Sequence, residues 1–320
     1  MRNLVGLLSG LIVLGVVVVA CRRAPSWQAP PKPFPNSEFT VVDGARLHHR
    51  SWPAFPAARR GRVLLVHGFS GSTFSWERIV PALRAAGYRT VAVDVPPFGY
   101  SDRSPERNAS VTARARLLLA FLESTAPGQA WHLVGHSMGG GIVQAMALMR
   151  PAAVASVTFV AGTVFGELGH GKPGGRSPAG WSPGRALLGA LAGAVPITRE
   201  QVGVLLESAY GRPPSPDQVQ GYFAPLAVPG TAQAIVSTAA AAEELEALDA
   251  GALRVPALAI WGERDTWVPL EPRRRTLARM PRLTLRVIPD AGHCPMETHP
   301  AAFLAHLLPF LGRPGEAAGP

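Results

Sequence analysis

The sequence has very few cysteines and lysines. Its 320 residues include 2 cysteines, Cys21 and Cys294, which stand near opposite ends of the chain. They therefore exclude a disulfide framework, and no cysteine–histidine spacing predicts a metal site. Lysine occurs only as Lys32 and Lys172, so scattered arginines supply most of the net charge of +10. No basic stripe is interleaved with aromatic residues, so nucleic-acid binding is not predicted.

Other signatures are also missing. No G-x-G-x-x-G pattern follows the first predicted strand, so we expect no cofactor. We find no internal repeats. Because 47% of the residues are hydrophobic, the chain can bury a sizeable core in one large domain or two modest ones.

The N-terminus carries the longest apolar run. Residues 4–21 contain no charge and are followed by Arg22 and Arg23. We predict that residues 1–23 are a membrane anchor or signal segment, with a retained single-span anchor favoured. The alternatives are a lipoprotein modified at Cys21 and a cleaved signal that directs secretion or periplasmic export. Residues 24–37 are proline-rich and read as an extended linker, and residues 314–320 are expected to be a flexible tail.

The pattern after the linker predicts an α/β fold. A hairpin is expected around Asp43–Gly44, because this dipeptide favours a two-residue turn. Apolar strands then alternate with helical segments, which indicates a mostly parallel, doubly wound sheet. The predicted strands cover residues 62–66, 89–93, 131–134, 157–160, 257–261 and 283–288.

The alternation stops between about residues 166 and 250. This stretch contains a segment rich in glycine, proline and serine, followed by helical segments at residues 186–194, 201–210 and 232–248. An insertion of this size fits a helical cap over the carboxyl ends of the strands, where open α/β sheets bind ligands. A decorated loop is the alternative.

The most informative motif is Gly135-His-Ser-Met-Gly139, which follows a short apolar run and precedes a helical stretch. A sharp turn from strand to helix needs small residues on both sides, and it forces the residue at the corner outward. Here that residue is Ser137, so the motif predicts a nucleophile elbow.

Four further motifs accompany the elbow: His67-Gly68-Phe69, the segment from Asp94 to Asp102, Trp261-Gly-Glu-Arg-Asp265 and Gly292-His293. In this order and spacing, the chain resembles the α/β-hydrolase family from about Glu38 to Leu311. The resemblance implies a core formed by residues 38–165 and 251–313 and a cap formed by residues 166–250. A serine at the elbow argues against the haloalkane dehalogenases and epoxide hydrolases of that family, which carry aspartate there.

The resemblance also implies a catalytic triad of Ser137 as nucleophile, His293 as base and Asp265 as the acid that orients His293. His67 and His136 are the competing histidines. Glu263 is the alternative acid, whereas Asp290 is expected to shape the turn before His293. Glu297 and Pro300 are interpreted as helix-start residues rather than catalysts.

The remaining site predictions concern backbone donors and the pocket. The backbone N–H groups of Phe69 and Met138 are expected to form the oxyanion hole. The side chains predicted to bind substrate are His67, Phe165, Trp181, Phe223 and Trp267.

Together these features predict a serine hydrolase that cleaves an apolar carboxylic ester, similar to a carboxylesterase or lipase. A C–C bond hydrolase, an amidase or a perhydrolase would use the same triad, and a non-catalytic ligand-binding member of the fold is a further alternative. The expected partners are a small apolar ester or lipid-like substrate and the membrane. We expect a monomer, with no metal.

Overall fold

The computed structural model describes residues 32–55, 60–104, 110–165, 197–232 and 248–312. The predicted anchor, Cys21, Trp181, the tail and large parts of the predicted cap lie outside these residues. Within the described ranges, no helix is both long enough and apolar enough to cross a membrane.

Eight strands form a single sheet in the described part of the chain, in the order β1-β2-β4-β3-β5-β6-β7-β8. The β1–β2 and β2–β4 pairs are antiparallel, and the other neighbours are parallel, which confirms the predicted mostly parallel sheet. The strands are β1 (Ser37–Val42), β2 (Ala45–Trp52), β3 (Gly61–Val66), β4 (Tyr88–Val93), β5 (Trp131–His136), β6 (Val154–Val160), β7 (Ala257–Gly262) and β8 (Leu283–Ile288).

The hairpin between β1 and β2 turns at Asp43 and Gly44. Both have positive φ angles, 47° and 71°. A two-residue turn of this kind needs positive φ at both positions, and Asp-Gly adopts it at low energetic cost.

Eight α-helices occur in the described ranges. They are α1 (Val80–Ala85), α2 (Val111–Thr125), α3 (Met138–Met149), α4 (Arg199–Tyr210), α5 (Pro216–Leu226), α6 (Arg274–Ala278), α7 (Pro295–Thr298) and α8 (Pro300–Leu311). Short 3-10 helices lie at Thr73–Trp76, Pro151–Ala153, Ala250–Ala252 and Glu271–Arg273. The first 3-10 helix and α1 are separate, because Pro81 fits only the first turn of an α-helix.

Helices cover both faces of the sheet. Val63 and Leu65 of β3 point into a core that includes side chains of α1 and α8. Leu64 and Val66 point into the opposite core, which includes side chains of α2 and α3. Because successive residues of a strand face opposite sides, a continuous apolar run such as β3 fits a sheet buried on both faces.

The topology marks where a site can form. β3 has β4 on one side and β5 on the other, so successive crossovers leave the centre of the sheet in opposite directions. At such a switch point the carboxyl ends of the strands leave a crevice. Helices α4 and α5, called here the α4–α5 pair, contribute to the α1–α8 core and to the cavity described below.

Candidate active site

Ser137 lies at the corner between β5 and α3, with φ 49° and ψ −117°. This conformation is unfavourable for a residue with a Cβ and costs on the order of 1–3 kcal/mol. The neighbouring glycines permit it, because a Cβ at Gly135 would collide with the Gly139 carbonyl group and a Cβ at Gly139 with the Val66 carbonyl oxygen. The half-buried hydroxyl is held outward at the end of β5, as the sequence pattern predicts.

His293 and Asp265 are brought together from two turns of the sheet edge. His293 Nδ1 lies 2.9 Å from Asp265 Oδ2, and both residues are buried. Asp265 Oδ1 accepts hydrogen bonds of 2.9 Å from the backbone N–H groups of Trp267 and Val268. The carboxylate is therefore fixed at both oxygens, and it fixes one nitrogen of the imidazole.

A cavity of about 200 Å³ contains both Ser137 and His293 in its lining. Because Nδ1 is bonded to Asp265, Nε2 is the nitrogen of His293 left for a reacting hydroxyl. It has no hydrogen-bond partner among the described residues. Bonds of this kind are often long before substrate binds and tighten in the complex. Trp267 stacks on His293 with ring centroids 5.6 Å apart, which restricts the tilt of the imidazole.

Two backbone N–H groups stand beside the elbow. Met138 is the first residue of α3, where amide groups have no partner within the helix. Phe69 follows Gly68, and a Cβ at Gly68 would lie 3.0 Å from the Ser137 Cβ, so this loop passes directly against the elbow. The two amides are thus available for an anion near Ser137.

The competing histidines are occupied by structural hydrogen bonds. His67 bonds through Nδ1 to the Gly68 carbonyl at 2.7 Å, and its Nε2 accepts the Val95 N–H at 2.8 Å. His136 Nε2 bonds to the His293 carbonyl at 3.0 Å. Burial lowers the pKa of His67, and burial followed by the neighbouring His293 lowers the pKa of His136 well below its ordinary value. Both rings therefore act as neutral packing groups.

The alternative acid points elsewhere. Glu263 Oε2 accepts the Asp290 N–H at 3.3 Å on the exposed surface. Asp290 has a positive φ of 60° and pairs with Arg264, so it shapes the turn before His293.

Of the five side chains predicted to bind substrate, only one lines the cavity within the described residues. Trp267 lines the cavity, and Trp181 lies outside the described residues. We correct three others, which do not line it. His67 is fully buried behind the loop, Phe165 packs against Gly141 of α3, and Phe223 packs beside Arg199 on the α4–α5 pair. The apolar lining comes instead from Phe69, Val202, Leu205, Leu206, Ala209, Leu226 and Trp267.

A second Ser–His–Asp chain lies at the β1–β2 edge. Ser37 Oγ is 2.8 Å from His48 Nε2, and His48 Nδ1 is 2.7 Å from Asp94 Oδ2. The rings of Phe34, Phe39 and Tyr100 pack around the fully buried His48, so no substrate can reach it. Asp94 also accepts the Thr73 N–H at 2.6 Å, which ties this chain of hydrogen bonds to the loop after β3 and indicates a structural role.

Sequence reasoning missed a buried polar cluster behind the cavity. Glu297 of α7 is 2% exposed, and its oxygens accept hydrogen bonds from Tyr210 at 2.7 Å and Tyr222 at 2.6 Å. The Tyr222 hydroxyl is 2.8 Å from Ser75 Oγ, and Ser75 lines the cavity. Both tyrosines belong to the α4–α5 pair, so they are remote from Glu297 in sequence and gave no local signal.

Comparisons with known proteins agree with this geometry. Residues 61–300 match the family model described as alpha/beta hydrolase fold. The chain is 28% identical over 286 residues to the uncharacterized hydrolase YugF of Bacillus subtilis, which covers 87% of this chain and 98% of that protein. It is 29% identical over 275 residues to a 2-hydroxy-6-oxononadienedioate/2-hydroxy-6-oxononatrienedioate hydrolase of Burkholderia vietnamiensis, with 78% and 87% covered. A solved serine hydrolase involved in carbazole degradation, the CarC enzyme, superposes with a TM-score of 0.68 at 21% identity, covering 86% of this chain and 98% of that chain.

Proposed function

The chain belongs to the α/β-hydrolase family, and from that premise we propose that it is a serine hydrolase that cleaves an apolar carboxylic ester through an acyl-enzyme on Ser137. The single observation that carries the proposal is the 2.9 Å bond between His293 and Asp265 at a cavity that also contains the strained Ser137. A hydroxyl, an imidazole and a carboxylate in this order form the proton-transfer chain that a serine nucleophile needs.

In the proposed mechanism, Asp265 holds the Nδ1–H tautomer of His293, so Nε2 is a proton acceptor. Nε2 takes the Ser137 proton as Oγ attacks the ester carbonyl carbon. The N–H groups of Phe69 and Met138 stabilise the negative oxygen of the tetrahedral intermediate. Nε2 then returns the proton to the departing alcohol, and a water molecule activated by His293 hydrolyses the acyl-enzyme.

The cavity supports an uncharged substrate. The accessible surface of its lining is mostly apolar, and no arginine or lysine lines it within the described ranges. A dicarboxylate, as in the name of the Burkholderia relative, would lose its hydration without gaining a cationic partner. A cavity of about 200 Å³ is also below the usual size of drug-sized ligand pockets, which favours a short acyl or alcohol group.

The test is labelling with a fluorophosphonate probe and turnover of p-nitrophenyl butyrate by full-length variants. Ser137→Ala should lose labelling and lose turnover by a factor on the order of 10³ or more. The protein provides its own matched control, because Ser37 heads the sealed Ser–His–Asp chain. Ser37→Ala should keep both labelling and turnover. Turnover retained by Ser137→Ala would refute the assignment, and an unlabelled wild-type protein would favour a non-catalytic binding role.

We also propose that residues 4–21 attach the protein to a membrane as a single span. The support is the uncharged apolar run followed by two arginines. Full-length protein should sediment with membranes, and protein lacking residues 1–36 should not. Soluble full-length protein would refute the anchor, and loss of membrane binding in Cys21→Ala would indicate lipid attachment instead.

A further inference from the structure

A hydrogen-bonded chain joins Glu297 to the substrate cavity. It runs from the Glu297 carboxyl through the Tyr222 hydroxyl, at 2.6 Å, to Ser75 Oγ, at 2.8 Å. Glu297 and Tyr222 are buried, and Ser75 and Tyr222 both line the cavity that contains Ser137. The chain therefore connects an ionisable group with no direct access to substrate to a hydroxyl that faces it.

The direction of each hydrogen bond depends on the charge of Glu297. When Glu297 is ionised, it only accepts, so Tyr222 donates to it and Ser75 donates to Tyr222. When Glu297 is protonated, one oxygen donates to a tyrosine. Tyr222 can then donate its own O–H to Ser75 Oγ, and the Ser75 O–H, which stays protonated, can point towards the cavity.

The position of the added proton follows from the other tyrosine. The hydroxyl of Tyr210 contacts Glu297 Oε2 at 2.7 Å and has no second partner among the described residues. If Tyr210 accepted a hydrogen bond from protonated Glu297, its own O–H would be buried without an acceptor, which is unfavourable. Tyr222 has Ser75 as its acceptor, so the proton belongs on Oε1, facing Tyr222.

We propose that Glu297 is a positioning residue that sets, through Tyr222, whether the Ser75 hydroxyl offers a hydrogen-bond donor to an oxygen of the bound substrate. The enzyme therefore prefers esters with an additional acceptor oxygen when Glu297 is protonated. This preference is lost when Glu297 ionises. The inference rests on the proposed esterase function of the same cavity.

The surroundings make this switch operate near neutral pH. Burial raises the pKa of Glu297 to about 7, although the two tyrosine hydroxyls and Arg78 oppose the rise. The groups that face the carboxyl are Tyr210 of α4, Tyr222 of α5, Cys294 before α7, and Glu77 and Arg78 after the Thr73–Trp76 helix. Burial also raises the pKa of both tyrosines and of Cys294, so these three stay protonated while Glu297 titrates.

The experiment compares p-nitrophenyl butyrate with p-nitrophenyl methoxyacetate, whose acyl group replaces one CH₂ by oxygen. The ratio of their kcat/KM values cancels any pH dependence that is common to both esters, because both use the same triad. In wild type the ratio of methoxyacetate to butyrate should fall about threefold to tenfold between pH 6 and pH 8, the effect of one uncharged hydrogen bond. A ratio that does not change with pH would overturn the proposal.

Two variants separate the switch from a merely structural role. In Glu297→Gln, the amide oxygen must accept from Tyr210, so the NH₂ group faces Tyr222 and imitates the protonated acid. Its ratio should stay at the low-pH value of wild type at every pH. In Ser75→Ala, which lacks the donor, the ratio should stay at the high-pH value of wild type at every pH. Tyr88→Phe, which removes a buried phenol at the amino end of β4, should keep the wild-type pH dependence. A pH-dependent ratio in Glu297→Gln would overturn the proposal.

An infrared measurement keeps the inference distinct from the esterase assignment. Between pH 6 and pH 8, full-length protein should lose the carbonyl band of a protonated carboxyl group, and Glu297→Gln should lack this change. The inactive variant Ser137→Ala should show the same loss of the band as wild type. Absence of the band change in wild type would refute the switch even if the protein is an esterase, and its presence would support the switch even if neither ester is cleaved.

Discussion

Replacement of Asp265 by asparagine exchanges one oxygen for an NH₂ group at the bond to His293. The structure fixes which way the amide turns. Oδ1 accepts two backbone N–H groups, from Trp267 and Val268, each at 2.9 Å. Placing the NH₂ group there would leave two donors without an acceptor, at about 1–3 kcal/mol each, to gain one bond of about 1 kcal/mol.

The amide oxygen therefore stays at Oδ1, and the NH₂ group faces His293 Nδ1. Nδ1 must then accept, and the ring proton moves to Nε2, the atom that has to take the Ser137 proton. A triad held in this tautomer loses about 10⁴ in turnover, or about 5 kcal/mol of transition-state stabilisation. We expect this loss in kcat for p-nitrophenyl butyrate, with thermal unfolding close to that of wild type.

Glu263→Gln is the matched control, because it makes the same chemical change two residues away, where the side chain is bonded to the exposed Asp290 N–H. It should retain nearly all turnover. If Asp265→Asn keeps activity within tenfold of wild type, or if Glu263→Gln loses as much, then the acid is wrongly assigned.

Three further results are expected. Gly139→Ala should destabilise the protein by about 3 kcal/mol in urea unfolding, because the new Cβ would lie 2.7 Å from the His67 carbonyl oxygen. The control is Gly203→Ala on α4, whose Cβ would meet nothing closer than 3.9 Å and which should be neutral or stabilising. Leu206→Trp should reduce kcat/KM for p-nitrophenyl hexanoate at least tenfold relative to p-nitrophenyl acetate, because the indole ring fills part of the cavity. Val204→Trp, on the exposed face of α4, should leave the ratio of the two kcat/KM values unchanged. Glu297 should contribute stability that is fully present below about pH 4.5 and lost as pH rises to about 7, because burial raises its pKa in the folded state. The free energy of unfolding of wild type relative to Glu297→Gln should therefore fall by on the order of 3 kcal/mol over that range, and a rise would refute the raised pKa.

Local signals predicted much of the fold and the elbow. The Asp43–Gly44 turn, the apolar strands and the glycines around Ser137 each depend on neighbours within a few residues, so their patterns are readable in one sequence. Ser110 begins α2 as a serine N-cap does, because its side chain accepts the Ala113 N–H at 3.2 Å. Helix α5 was not predicted, although Ser215 forms a capping box with Gln218 and Pro216 fits the first turn.

Contacts across the fold account for what sequence reasoning missed. Glu297 was interpreted as a helix-start residue, and it does lie in the first turn of α7, but its burial was not predicted. Its actual partners, Tyr210 and Tyr222, lie 87 and 75 residues away in the chain. Phe165 and Phe223 were assigned to the pocket from their aromatic character alone, and no periodicity tells which aromatic side chains of an insertion face a ligand.

The backbone N–H of His293 donates to the carbonyl of Ala209, in the last turn of α4, at 2.7 Å. Helix α4, which lines the cavity, is thus bonded directly to the loop that carries His293. A movement of α4 that breaks this bond removes a backbone restraint on His293, so opening of the cavity by α4 is coupled to the position of the proposed base. A chimera that exchanges α4 between relatives to change selectivity would therefore have to preserve the backbone position of Ala209. Otherwise the exchange would also alter the position of His293.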